Sequence, residues 1–129
     1  MGLLSDMAAG SERRLIVARA VVSDAELRER CAALPPLPRL RLSAAGFDLI
    51  AELKLRSPAL GDLSAQTMDP VARLRGYAEA GAAICSILTE PSRFDGDLAH
   101  LRQAATALAP YGVPAMRKDF LVGPYQVLE

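Results

Sequence analysis

The sequence predicts an α/β fold in which parallel strands alternate with helices, and three observations carry the prediction. Nearly continuous apolar runs at residues 47–55, 82–88 and 113–116 have the composition of strands covered on both faces. Between them, residues 70–81 and 98–108 place apolar side chains at helical spacing. The strand–helix unit recurs about every thirty residues, the length of a βαβ crossover.

The elements follow in order. Arg13 to Val22 has the composition of one helix, and Ser23 with Glu26 makes a capping-box signature for the next. Leu27, Cys31 and Leu34 continue at helical spacing until Pro35-Pro36 ends the helix. Residues 37–46 read as an extended connector closing at Gly46, so residues 1–46 form a helical extension. The strand–helix part occupies residues 47–129. Its first strand, Phe47 to Leu55, leads through a loop to Asp69-Pro70, an N-cap followed by proline at the first helical position. Val71, Leu74, Tyr77 and Ala78 supply the apolar face of that helix, and Gly81 is placed to end it. Ala82 to Leu88 is the second strand. Leu98, Leu101, Ala105 and Leu108 mark a second amphipathic helix, closed by Pro110-Tyr111-Gly112. Val113 to Met116 begins a third strand, and Gly123-Pro124 opens a third helix that the chain leaves unfinished at Glu129.

Composition narrows the function classes. Net charge is zero with no basic block, which argues against a nucleic-acid or anionic-membrane partner. No apolar run approaches the ~18 residues of a membrane span. Arg13-Arg14 before Leu15-Ile16-Val17-Ala18 mimics an export signal, but Arg19 interrupts an apolar stretch already too short. Cys31 and Cys85 are too few for a disulfide framework and read as reduced core thiols. The expected location is the cytoplasm.

Two architectures share this strand–helix grammar, the open doubly wound sheet and the closed eightfold barrel. An open nucleotide-binding sheet carries a glycine fingerprint after its first strand. Here that turn reads Arg56-Ser57-Pro58-Ala59-Leu60-Gly61, which fits neither that fingerprint nor a P-loop. The barrel is preferred: a partial (β/α)8 barrel of about three strand–helix units behind N-terminal helices.

Chemistry-bearing residues gather where the strands end. Glu52 and Lys54 lie two apart, so their side chains leave one face of the strand. They are either an acid–base pair at a barrel mouth or a buried ion pair. Lys118 is either a solvated strand cap or a general acid for a carbonyl, its ammonium drawn into a partly apolar pocket. Arg117 alternates with it and points to a structural partner. Phe94, Phe120 and Pro58 fall in loops on the same rim and together would line a slot for a flat ring.

These residues resemble the indole-3-glycerol phosphate synthase family. The likeness runs through Ile50-Ala51-Glu52-Leu53-Lys54 with Ser57-Pro58, then Tyr77-Ala78-Glu79-Ala80-Gly81-Ala82-Ala83. It continues in Ser86-Ile87-Leu88-Thr89-Glu90 with Phe94-Asp95-Gly96, and in Arg117-Lys118-Asp119-Phe120 with Pro124-Tyr125-Gln126-Val127. The resemblance implies a (β/α)8 barrel with extra N-terminal helices. It implies ring closure, decarboxylation and dehydration of 1-(2-carboxyphenylamino)-1-deoxyribulose 5-phosphate in tryptophan biosynthesis, with no metal or organic cofactor. Lys118 would then protonate the substrate ketone, with Glu52 and Lys54 assisting the dehydration. Ser57 would touch the substrate, and Pro58, Phe94 and Phe120 would flank its anthranilate ring. Where the family often has Ser-Pro-Ser-Lys-Gly, this chain has Ser57-Pro58-Ala59-Leu60-Gly61.

A complete barrel takes ~250 residues and eight strands, so three strands leave two open edges. The late glutamate and phosphate-holding loops of the family have no counterpart. The expectation is an inactive, association-prone chain that works only with the missing C-terminal half. A non-catalytic half-barrel, serving assembly or ligand binding, is the alternative. A relative of phosphoribosylanthranilate isomerase is a weaker one, disfavoured by the Glu52, Lys54 and Lys118 arrangement.

Overall fold

The computed structural model describes residues 2–63 and 69–129, and these form two compact units. The expected loop before Asp69 therefore lies partly outside the described residues.

One unit joins the described part of residues 1–36 to Phe120–Glu129. Its helix α1, Leu3–Val21, begins ten residues before the expected start at Arg13. Leucine, alanine, methionine and glutamate dominate the added turns and favour helix, and Met7 and Ser11 fall on one buried face. Helix α2, Asp24–Ala32, starts as the sequence indicates: the Ser23 hydroxyl accepts from the Glu26 amide at 3.2 Å. The Glu26 carboxylate, expected to reach back to Ser23, pairs with Arg30. The short helix α6, Tyr125–Leu128, packs on both. Gln126, fully buried, donates to Ser11 Oγ at 2.8 Å and accepts the Val122 amide at 2.8 Å. Burying so polar a side chain is tolerable because its amide is satisfied on both ends.

The second unit, Leu37–Asp119, carries the sheet. Strands β1 (Ile50–Leu53), β4 (Ile84–Leu88) and β5 (Ala115–Lys118) are parallel, with β4 in the centre. Between β1 and β4 lie a small antiparallel ladder, β2 (Arg56–Ser57) with β3 (Gly61–Asp62), and helix α3 (Pro70–Glu79). Helices α4 (Pro91–Phe94) and α5 (Leu98–Leu108) connect β4 to β5. This is a partial, barrel-like set of strand–helix units, and among the described residues the barrel does not close.

The helix starts match the sequence chemistry. Asp69 Oδ2 accepts from the Ala72 amide with Pro70 at the first helical position, and Gly81 takes φ +91° just beyond the end of α3. One face of the sheet meets α3 and α5 through Leu53, Leu74, Cys85, Ile87, Ala104 and Leu108. Leu98, Leu101 and Ala105 were expected on that face with Leu108. Leu101 and Leu108 do pack there, but Ala104 is fully buried and Ala105 is exposed.

The first strand is shorter than the apolar run that predicts it. Phe47, Leu49 and Ile50 are exposed rather than covered on both faces, because β1 is an edge strand here. At its other end Leu55 leaves the sheet, its carbonyl accepting from the Leu63 amide as the chain turns into the β2–β3 hairpin. Gly61, at φ +72°, makes that turn.

Candidate active site

The parallel register decides which side chains share a face. Glu52 stands opposite Ser86, and Ser86 opposite Met116; Leu88 stands opposite Lys118. In a parallel sheet, laterally paired residues project to the same side. Ile50, Glu52, Ser86, Leu88, Met116 and Lys118 therefore lie on the face away from α3 and α5. The alternate residues Leu53, Cys85 and Ile87 fill the helix-facing core.

On this free face three charged groups converge. Lys118 Nζ donates to Glu52 Oε2 at 2.5 Å, and Lys54 Nζ pairs with Glu52 Oε1 at 2.8 Å. Lys118 is the last residue of β5 and Lys54 lies one residue past β1, so all three stand at the carboxyl ends of strands. Burial pushes the Glu52 carboxyl up, and the hydrogen bonds and charges of Lys118 and Lys54 outweigh it, leaving it below the usual carboxylate value. The Lys118 side chain is 52% exposed. The apolar pocket expected around its ammonium is thus not what surrounds it; a carboxylate does.

Asp119, beside Lys118 in sequence, belongs to a different cluster. Its carboxylate accepts from Thr89 Oγ1 at 3.0 Å and lies 3.5 Å from Arg117. Arg117 Nε also donates to Thr89. Arg117 has the structural partner expected of it, and the partner is Asp119.

The remaining candidates divide. Ser57 is buried on β2, its hydroxyl accepting from the Ala59 amide at 3.3 Å, while Pro58 next to it is exposed. Phe94 is half-buried in α4, which packs against β2. Phe120 is half-buried and belongs to the first unit.

Two residues escaped the sequence reading. Glu90 is fully buried and caps α4, accepting the Ser92 and Arg93 amides at 2.9 and 2.7 Å and the Ser92 hydroxyl at 2.6 Å. Its signal was present in Glu90-Pro91, a capping acceptor before proline. Ser86 is 1% exposed, and its hydroxyl has no hydrogen-bond partner among the described residues. A lone polar residue inside the apolar run 82–88 was its signal.

Residues 7–129 match the sequence model of indole-3-glycerol phosphate synthase. The chain belongs to that family. Among its relatives, the indole-3-glycerol phosphate synthase of Nocardioides sp. is 44% identical over 133 residues, covering all of this chain and 49% of that protein. Those of Arthrobacter sp. and Saccharopolyspora erythraea are each 40% identical, again over the whole chain and over 48% and 47% of their own lengths. The chain thus spans about half the length of the indole-3-glycerol phosphate synthases it matches. Among the described residues no helix is long and apolar enough to cross a membrane.

Proposed function

We propose that this chain supplies the first strands of an indole-3-glycerol phosphate synthase and turns over substrate only with the remaining strand–helix units. Residues 1–46 are the helical extension and residues 47–129 the first part of the barrel. The substrate is 1-(2-carboxyphenylamino)-1-deoxyribulose 5-phosphate.

The observation that carries this reading is the carboxylate of Glu52 held between two ammonium groups at the carboxyl ends of parallel strands. Lys118 leaves Glu52 and gives a proton to the substrate's ketone oxygen as the ring carbon bonds to the ketone carbon. The carboxyl group departs as carbon dioxide, restoring the aromatic ring. The new hydroxyl then leaves as water, with Glu52 and Lys54 moving the protons of that half-reaction. Ser57 contacts the substrate, and Pro58, Phe94 and Phe120 flank its ring. Binding of the phosphate and completion of the acid–base set fall to the later strand–helix units, each worth orders of magnitude in rate.

The test is to supply this chain with the C-terminal half of a full-length relative and assay indole-3-glycerol phosphate formation. Turnover in the pair, none in the chain alone, and none in the Lys118→Met pair is the expected result. A Lys118→Met pair with undiminished turnover overturns the assignment. Exposed Ile50 on an edge strand, with exposed Phe47 and Leu49 just before it, favours a second reading, a half-barrel assembly module. Substrate binding by the pair without turnover selects it. Sedimentation of the chain alone is expected to show association.

A further inference from the structure

Glu52 and Lys118 sit on strands that are not neighbours. Strand β4 runs between β1 and β5, so the two backbones are about 9.6 Å apart, twice the spacing of adjacent strands. Their side chains meet only by leaning across the central strand. The residue of β4 directly opposite Glu52 is Ser86. Its small side chain leaves room for the crossing, and it is 1% exposed.

Room alone does not account for a serine. Alanine would leave the same room without burying a hydroxyl, and the Ser86 hydroxyl has no partner among the described residues. A buried donor left unmade is a cost that native structures usually avoid. The residue opposite it on the same face of β1 is Glu52, whose two carboxylate oxygens each hold an ammonium, Lys54 on one and Lys118 on the other. One of those partners must leave if Lys118 is to reach a ketone oxygen.

We propose that Ser86 is a positioning residue for Glu52, its hydroxyl taking the place of Lys118 as donor to the carboxylate when Lys118 turns to the substrate. The proposal rests on the reading of Lys118 as a proton donor. It adds a handover: the carboxylate stays ionised and in place through the step in which it loses a cation. On this face the charged groups beside Glu52 are Lys54 of its own side of the sheet and Lys118 of β5, and β4 offers the neutral Ser86. Helix α3 packs on the opposite face, through Leu74 against Leu53 and Ile87.

The experiment is a carboxyl-carbon NMR titration of Glu52 in the chain, in five forms: unchanged, Ser86→Ala, Lys118→Met, the last two together, and Ser86→Thr with Lys118→Met. With Lys118 present, Ser86→Ala is expected to leave the Glu52 midpoint nearly unmoved. In the Lys118→Met background, which mimics departure of the ammonium, Ser86→Ala is expected to raise the proton affinity of Glu52 about tenfold. Ser86→Thr in that background restores the single-variant midpoint, because it keeps a hydroxyl. Equal Glu52 midpoints in Lys118→Met with and without the Ser86 hydroxyl overturn the proposal. Ser86→Ala removes an unpartnered group and Lys118 is half exposed, so neither change threatens the fold. The titration reads the hydroxyl–carboxylate coupling without turnover, so it can fail while the Lys118 assignment stands, and the reverse.

Discussion

Replacing Lys118 with methionine separates a structural ion pair from a proton donor. Both ends of the bridge meet water: the lysine side chain is 52% exposed and Glu52 24% exposed. A pair so placed contributes about 0–1 kcal/mol. Glu52 also keeps Lys54 at 2.8 Å after the change, so no carboxylate is stranded. For a chain of 129 residues the unfolding entropy is about 0.27 kcal/mol per kelvin, so 1 kcal/mol moves the melting temperature by about 4 °C. The expected outcome is a urea midpoint and melting temperature changed by no more than that. Turnover of the chain paired with the C-terminal half of a full-length relative is expected to fall 10²–10⁴-fold, roughly the range of a lost general acid. A loss of more than about 3 kcal/mol, the scale of a broken buried pair, would refute the half-solvated bridge. Unchanged turnover would refute the proton-donor role.

Three further outcomes are expected. In Gly96→Ala the new Cβ would stand 2.5 Å from the Leu88 carbonyl oxygen and 2.7 Å from the Glu90 nitrogen; backbone cannot yield as a side chain does, and chemical denaturation should show a loss of about 3 kcal/mol. Cys85 is fully enclosed and burial pushes its thiol up, so alkylation followed by mass spectrometry should leave it unmodified until the chain unfolds. Because the folded Glu52 carboxyl lies below its ordinary value, its contribution to stability is complete above the unfolded value of about 4.3. That contribution disappears as pH falls through the folded value, so urea midpoints should drop on acidification more steeply in the unchanged chain than in Lys118→Met.

Much of the architecture was legible because the decisive signals are local. Asp69-Pro70 and Ser23 announce helix starts through hydrogen bonds made within three residues, and both occur. Strand ends were less legible. The run from Phe47 to Leu55 is largely apolar, and pairing with β4, not composition, limits the strand to Ile50–Leu53. The face of α5 was misjudged by one residue, since Ala104 and Ala105 are chemically identical and only the sheet distinguishes them. At the site, the shared face of Glu52 and Lys54 follows from strand alternation. Their meeting with Lys118 does not, for it depends on which strands are neighbours. Asp119 beside Lys118 was a misleading neighbour for the same reason: adjacency in a strand places side chains on opposite faces, and its partners are Thr89 and Arg117.

The bridge from Glu52 to Lys118 joins residues 66 positions apart and straddles a strand made between them. During synthesis it can therefore form only after both crossover helices have been laid down. A nascent chain halted anywhere short of residue 118 would leave Glu52 with Lys54 as its one cation of the three-charge cluster. The three-charge cluster is complete only with the third parallel strand, which ties its assembly to the growth of the sheet itself.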